Sequence, residues 1–347
     1  MPKLGVGIVG CGGMGAALAQ GIAQLETAEV VGCCDAVRAN AKALAEKTGG
    51  RAFPSLSKLL AEARVQAVVV ASPQFAHATN AVAAAKAGKH VFCEKPMAVS
   101  LKQCDAMIEA CRAAGVKLMI GQVCRYHAIH GQVRELVASG EFGKPVCMTV
   151  HRLGGPWGGQ YSQHWRLERA KSGGNLLEIH AHEIDFMRWV CGDVEAVYAA
   201  GGRYLDPRID YPDLALVTMH FKSGAKGLLH TGQVSAIGGY GGRVDCEGGS
   251  LVFPSIWGGE AGIHVCKSGE KATFLPAGEI PVEDPVAHEL RDFFDAILND
   301  KPSPVPGEEG RAAVEVGLAA YRSVERGKLV KLPIYMSRHD SRSIPDL

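Results

Sequence analysis

No stretch of this chain strings together the roughly 20 apolar residues that a membrane-crossing helix needs. Neither charge dominates: 37 Lys and Arg face 36 Asp and Glu, a net charge of +1. The basic residues are dispersed, so neither a nucleic-acid stripe nor a polybasic membrane patch is expected. Of the 11 cysteines, an odd number, no two stand in a C-x-x-C pair, which argues against a zinc knuckle or a redox dithiol. Cys11, Cys33, Cys34 and Cys93 lie within or beside apolar strands and read as reduced thiols used as small core residues. No charged-then-apolar leader opens the chain, because KLGVGIVG is already a strand. Together these absences predict a cytoplasmic protein. No internal repeat or low-complexity segment is visible.

What is present is an ordinary globular composition, 47% hydrophobic and 21% charged. A chain of 347 residues is long for one core, so two domains are expected. Up to about residue 122, strands alternate with helices: strands at 4–9, 30–34, 67–71, 90–93 and 116–120, helices at 14–24, 39–47, 77–87 and 101–114. Continuous apolar strands between helices predict a doubly wound parallel sheet covered on both faces. From 123 to 335 the pattern changes. A charged helix (131–139), a strand (145–152), a glycine-rich loop (154–160) and a helix (175–190) lead into a run of strands. Turns at Ser223-Gly224 and Gly248-Gly249 predict a large, mostly antiparallel sheet. Helices return at 286–298 and 309–324, and residues 336–347 read as a polar tail. The fold class is α/β, a doubly wound parallel sheet followed by a second domain with a large, mostly antiparallel sheet; the Rossmann name and the openness of the second sheet are what the resemblance given below implies.

The first strand runs into Gly10, Gly12 and Gly15, in GIVGCGGMGAAL. This G-x-G-x-x-G opens a helix and precedes Asp35 by twenty residues, all within one βαβ unit. The first glycine permits the tight turn, the second lets backbone approach a pyrophosphate, and the third lets helix and strand pack closely. Gly13 and Met14 complete the loop, and the phosphates would meet the positive end of the helix. Asp35 would accept hydrogen bonds from the adenine ribose, which favours NAD. Arg38 nearby works the other way and leaves NADP open. The bland alternative is a glycine turn that binds nothing. Ser72, Pro73 and His77, after the third strand, are expected along the cofactor channel. His77 also reads simply as a helix-start residue.

The fourth strand ends in Glu94-Lys95-Pro96. Ligands of open parallel sheets bind beyond the carboxyl ends of the strands, so Lys95 stands where a nicotinamide would lie, with Glu94 beside it. On these residues alone, a solvated lysine before a helix-starting proline is equally good. The wider pattern decides more. GIVGCGGMG, ASPQFAHATNAVAAAKAGKHVFCEKPMA, CRYH with EFGKP, SGGNLLEIHAHEIDFMRWVCG and KPSPVPGEEGRAAVEVGLAAYRSVERGKLVKLP run the length of the chain. With these pieces it resembles the Gfo/Idh/MocA oxidoreductases, the glucose-fructose oxidoreductase and inositol dehydrogenase family. The resemblance implies hydride exchange between a nicotinamide and a carbinol of a sugar, inositol or related polyol. It also implies a homodimer or homotetramer built on the open sheet. The family's catalytic lysine falls on Lys95 and its acid/base histidine on His182. Four residues earlier, where the family often has aspartate, this chain has Glu178, and where relatives often carry glycine it has His180. Some relatives instead cleave glycosides through a transient keto sugar with tightly held NAD, and a few have become nucleotide-sensing regulators.

On a continuous helix, Glu178 and His182 are four apart and would share one face. One would then position hydroxyls while the other accepts the hydroxyl proton, a task suited to an imidazole. Arg125, Tyr126 and His127 after the fifth strand, and Trp165 and Arg166 later, are expected to contact substrate through aromatic faces and bidentate groups. For each, ordinary packing or a salt bridge is the competing reading. His180-Ala181-His182-Glu183 hints at metal ligation, but successive helical side chains diverge by about 100°, so no metal is expected.

Overall fold

The computed structural model describes residues 3–159 and 164–334. The polar tail predicted for 336–347 and the last residue of the predicted glycine-rich loop, Gln160, lie outside the described residues. Packing divides the chain into two units. The first takes the chain to Tyr126 and then Glu283–Ala312. The second takes His127–Val282 and the chain from Ala313. The expected division at 122 therefore omits a return of the chain to the first unit.

The first unit opens with β1 (Leu4–Val9), α1 (Gly13–Ala23), β2 (Ala28–Cys34) and α2 (Arg38–Thr48). A short β3 (Arg51–Ala52) and α3 (Leu56–Leu60) follow, unforeseen because each is shorter than a periodicity can reveal. Then come β4 (Ala67–Val70), α4 (His77–Lys86), β5 (His90–Glu94), α5 (Leu101–Ala114) and β6 (Leu118–Gly121). The six strands are all parallel, in the order β3-β2-β1-β4-β5-β6. Strand order reverses between β1 and β4, the switch point at which doubly wound sheets bind ligands. Cys11, Cys33, Cys34 and Cys93 are buried free thiols, as the apolar strands imply.

The returning segment packs a later helix, Pro285–Leu298, against α1. Its start is fixed by Asp284, whose side chain accepts the Ala287 N–H at 2.8 Å, with Pro285 in the first turn. Gly21 of α1 is what lets the two helices approach, since a Cβ there would sit 3.0 Å from Val286 and 3.1 Å from Leu290. Leu290, Phe293 and Phe294 are fully buried, each contributing about 1.5–3 kcal/mol.

The second unit contains α6 (Ala128–Ala138), β7 (Pro145–Leu153), and short helices α7 (His164–Leu167), α8 (Arg169–Ser172) and α9 (Asn175–Glu178), then α10 (Ala181–Cys191). Strands β8 (Val194–Gly202), β9 (Leu214–Phe221), β10 (Lys226–Gly232), β11 (Gly239–Cys246), β12 (Gly249–Phe253), β13 (Gly262–Lys267) and β14 (Thr273–Pro276) follow. The helix Pro285–Leu298 is α11; α12 (Gly307–Arg326) and β15 (Val330–Lys331) close the described chain. The nine strands order as β14-β13-β12-β11-β7-β10-β9-β8-β15, antiparallel except for β7 with β10. Gly224, at φ +95°, makes the β9–β10 turn. Met148, Val150, Val197, Val217, Met219 and Leu229 are buried on one face of the sheet, the face on which α10 packs. The other face leaves Tyr198, Leu216 and Leu228 exposed.

The helix expected over 175–190 is broken. The α9 turn ends at Glu178, and His180 leaves the helical region (φ −88°, ψ 4°) to begin α10. The His180 N–H reaches back five residues to the Asn175 carbonyl at 3.1 Å. Glu178 and His182 thus belong to two helical segments, and the shared-face argument does not apply to them.

Candidate active site

In the first unit, three glycines do three different things. Gly10 sits at φ +91°, and a Cβ there would lie 2.4 Å from the Ser72 backbone nitrogen. At Gly15 a Cβ would lie 2.0 Å from the Gly10 carbonyl oxygen, so only glycine lets α1 start this close to β1. Gly12 and Gly13 face open space, with nothing within 4 Å of an added Cβ. The first pair shapes the turn, and the second leaves room for something to approach the backbone. Gly12 caps α1 without a side-chain bond, and no acid occupies the first turn. The helix N-terminus is thus arranged to receive an anion. Met14, 43% exposed, borders this opening.

Asp35 directly follows β2, with both oxygens engaged: the Cys11 N–H donates to Oδ2 at 2.6 Å and the Val37 N–H to Oδ1 at 2.7 Å. It therefore clamps the glycine loop to the second strand. Each carboxylate oxygen has a second lone pair, so a ribose hydroxyl can still be accepted. Arg38 opens α2 and is exposed. Replacing Asp35 with serine is expected to lower the NAD-to-NADP ratio of kcat/KM by about tenfold or more, worth about 1.4 kcal/mol. An unchanged ratio in paired assays would show that Asp35 serves the loop alone.

His77 was expected along the channel. It is instead 1% exposed. Its Nδ1 lies 3.0 Å from the Pro96 carbonyl oxygen and its Nε2 2.7 Å from that of Ser72. Burial holds its pKa below the usual histidine value. It ties the end of β4 to the turn after β5. The Ser72 hydroxyl accepts from Asn80 at 3.0 Å, and Pro73 leads into the helix start. At the carboxyl end of β5, Glu94 is buried and accepts the Lys95 N–H at 3.1 Å. The Lys95–Pro96 peptide is cis, and Lys95 is half-buried.

The other predicted contacts separate. Arg125 is paired with Glu309 at 2.8 Å, and Tyr126 packs edge-on to His288 with ring centroids 4.9 Å apart. Both belong to the first unit. His127 belongs to the second, edge-on to His130 with ring centroids 5.8 Å apart; burial and the Arg152 charge lower its pKa. His130, fully buried and 2.7 Å from the Tyr240 hydroxyl, is pushed down to about 3 by burial.

In the second unit, Arg166 Nε meets Glu178 Oε1 at 2.8 Å, and its guanidinium lies 4.1 Å from the Trp165 ring centroid. His182 is 9% exposed in the first turn of α10. His180 and Glu183 converge: Nδ1 to Oε2 is 2.8 Å, because His180 caps α10 and a residue three further on lies on the same side of a helix, although successive residues diverge. Arg152 completes the chain at 2.9 Å from Glu183 Oε1. Burial alone would raise the Glu183 pKa, but Arg152 and His180 hold it below the usual carboxylate range. Among the described residues no group of three or more His, Cys, Asp or Glu side chains could hold a metal ion.

Of these groups, Arg152 and His180 border a cavity of about 240 Å³, lined also by Gly154–Gly158, Ile179 and Gln233. Trp157 forms one wall, held by its Nε1 donating to the Tyr211 hydroxyl at 2.7 Å; Tyr211 in turn donates to the Arg166 carbonyl at 2.8 Å. Gln233 is 6% exposed, and its Oε1 has no hydrogen-bond partner among the described residues. Arg152, Trp157 and Gln233 carry no motif, and only the fold reveals them.

Comparison with known proteins agrees with this geometry. The family of oxidoreductases with an NAD-binding Rossmann fold, Gfo/Idh/MocA, matches residues 4–122, and the family's C-terminal domain matches residues 130–252. The chain is 30% identical to myo-inositol 2-dehydrogenase of Thermotoga maritima, over 94% of this chain and 98% of that one. It belongs to the Gfo/Idh/MocA family. The enzyme is thus an NAD-dependent oxidoreductase. It also shares 33% identity with 2,7-anhydro-N-acetylneuraminate hydratase of Mediterraneibacter gnavus, over 67% of this chain and 62% of that protein. Aldose-aldose oxidoreductase from Caulobacter crescentus superposes with a TM-score of 0.86 at 27% identity, covering 95% of this chain and all of that one. The open cradle at Gly12 and Gly13, beside a helix N-terminus and Asp35, fits the NAD that the family binds. Among the described residues no helix is long and apolar enough to cross a membrane.

Proposed function

We propose that this enzyme oxidises a secondary alcohol of an uncharged sugar or inositol-like polyol, with Lys95 and His182 as its catalytic residues. The observation that carries the reading is Lys95, half-buried at the carboxyl end of β5, two strands from β1 and its glycine turn. When bound, NAD supplies the hydride acceptor. Lys95 holds the substrate oxygen and stabilises the charge that develops there. His182 accepts the hydroxyl proton. Glu178, engaged by Arg166, orients ring hydroxyls and does not move the proton. Arg152, Glu183 and His180 form a charge-balanced floor, which suits a neutral polyhydroxylated ring better than a carboxylate. The Oε1 of Gln233 offers an acceptor to one hydroxyl, and Trp157 offers an apolar wall to a ring face.

The test is nicotinamide absorbance with NAD across sugars, cyclitols and glycosides, with product analysis on the same samples. Net NADH with a free sugar or cyclitol supports the reading. Conversion without net NADH would replace it with a cofactor-cycling reaction, the class to which an anhydro-sugar hydratase among the relatives draws attention. Cofactor binding without conversion of any compound would leave a nucleotide-sensing regulator.

We also infer that two copies pair through the open face of the large sheet, where Tyr198, Leu216 and Leu228 are exposed on adjacent strands. Leu228→Lys should then reduce the mass measured by light scattering, and a wild-type monomer would end the idea. The 11 free cysteines suit a reducing cytoplasm.

A further inference from the structure

The segment 254–261, between β12 and β13, carries a tryptophan on the surface of the second unit. Trp257 is 57% exposed, whereas Trp157, Trp165 and Trp189 are half-buried. Exposed apolar side chains are common and need no explanation where they stand singly. This one is tied down on both sides. Ile256 before it is buried, and its N–H donates to the Tyr240 carbonyl at 3.0 Å. The Ser255 hydroxyl donates to the Trp257 carbonyl at 2.6 Å, and Gly258, at φ +86°, turns the chain back. The indole meets the Tyr240 ring in a T-shaped contact, with centroids 5.2 Å apart. Backbone anchors and a ring contact thus fix a large apolar side chain that still gives more than half its surface to water.

Arg152 joins this ring to the cavity described above. It lines that cavity, and its guanidinium carbon lies 5.8 Å from the Trp257 ring centroid. The cavity measures about 240 Å³, below the roughly 300–1,000 Å³ of sites that enclose a whole small ligand. It has room for one sugar ring, so a second ring joined to the first must lie outside it, at the rim. An indole held at that rim is the kind of surface that covers the apolar face of a pyranose. Arg152 is engaged by Glu183 at 2.9 Å. Its charge is balanced there, which suits a neutral second ring better than a phosphate.

We propose that Trp257 is the platform of an outer subsite, and that the substrate is a disaccharide or similar neutral glycoside: one ring enters the cavity and the second packs on the indole. The proposal rests on the reading of that cavity as a sugar site.

The test compares glucose and galactose with maltose, cellobiose, trehalose and lactose. Turnover is read as NADH absorbance, and binding by calorimetry on enzyme saturated with NADH. Wild type should prefer at least one disaccharide over both monosaccharides by about tenfold or more in kcat/KM and in affinity. Trp257→Ala and Trp257→Leu should lose that preference, and Trp257→Phe, which keeps a flat ring, should retain most of it. If Trp257→Ala melts far below wild type, the Leu and Phe variants carry the comparison. No preference in wild type, or a preference that survives Trp257→Ala and Trp257→Leu, would overturn the proposal. So would a lower mass for Trp257→Ala in light scattering, which would make the ring a contact between copies. Disaccharide binding that depends on Trp257 without NADH formation would keep the subsite and remove the oxidation. NADH from monosaccharides alone would do the reverse.

Discussion

Lys95→Ala is expected to lower kcat by about 10²–10⁴-fold while changing the NADH dissociation constant less than about threefold. The asymmetry follows from how the residue is held. Its backbone N–H is fixed by Glu94, and the following turn is tied through the Pro96 carbonyl to His77 and the end of β4. These bonds run through backbone atoms of Lys95 and Pro96, so removing the lysine side chain should leave them and the cradle around Gly12 and Gly13 in place, and should take away the ammonium to which the proposal gives the substrate oxygen. Lys95→Arg should restore little, because a planar fork does not replace a compact ammonium at a fixed point. His182→Ala should lose turnover on the same scale, and added imidazole should return part of it, since the missing function is proton acceptance. Pre-steady-state kinetics with either variant decide the matter. Full activity would remove that residue from the chemistry, and a large loss of NADH affinity would mean that it shapes the cofactor site instead.

The glycine turn, Asp35 and the Glu-Lys-Pro end of β5 were legible because each depends on chain neighbours. The tight turn, helix start and strand end are local, and their spacing is written in the sequence. Glu178 and His182 were legible as candidates but not as geometry. A single wide turn, in which the His180 N–H bonds five residues back, shifts the phase of everything after it, and no periodicity reports such a turn. Arg166 was read as a substrate contact, yet it spends its guanidinium on Glu178 and Trp165. Glu183 entered only as part of a metal-like string. Its partner Arg152 lies 31 positions away on β7, and only the tertiary fold pairs them. The same holds for the return of 283–312 to the first unit, which depends on the match between Gly21 and the side chains of Val286 and Leu290.

The largest stability effect is expected at Arg152. Glu183 is 0% exposed and ionised between Arg152 at 2.9 Å and His180 at 2.8 Å. Arg152→Met takes the guanidinium away from that anion and should destabilise the second unit by about 3–5 kcal/mol. In calorimetry this is a drop of about 10 °C in the corresponding transition, read separately because two units need not melt together. Adding Glu183→Gln should recover part of the loss, since no buried charge then lacks its partner. The pH dependence has a definite sign. Glu183 has a lowered folded pKa, so its contribution is present above the unfolded value near 4.3 and is lost as pH falls below it. Wild type should lose stability below about pH 4.3 in a way that the double variant does not share. The deficit of Arg152→Met should be largest near neutral pH. Arginine also does here what lysine cannot: its guanidinium lies 5.1 Å from the Tyr240 ring and 5.8 Å from that of Trp257. Arg152→Lys should therefore keep the charge and lose the stacking. It should melt between wild type and Arg152→Met, whereas wild-type stability in Arg152→Lys would assign the whole effect to charge.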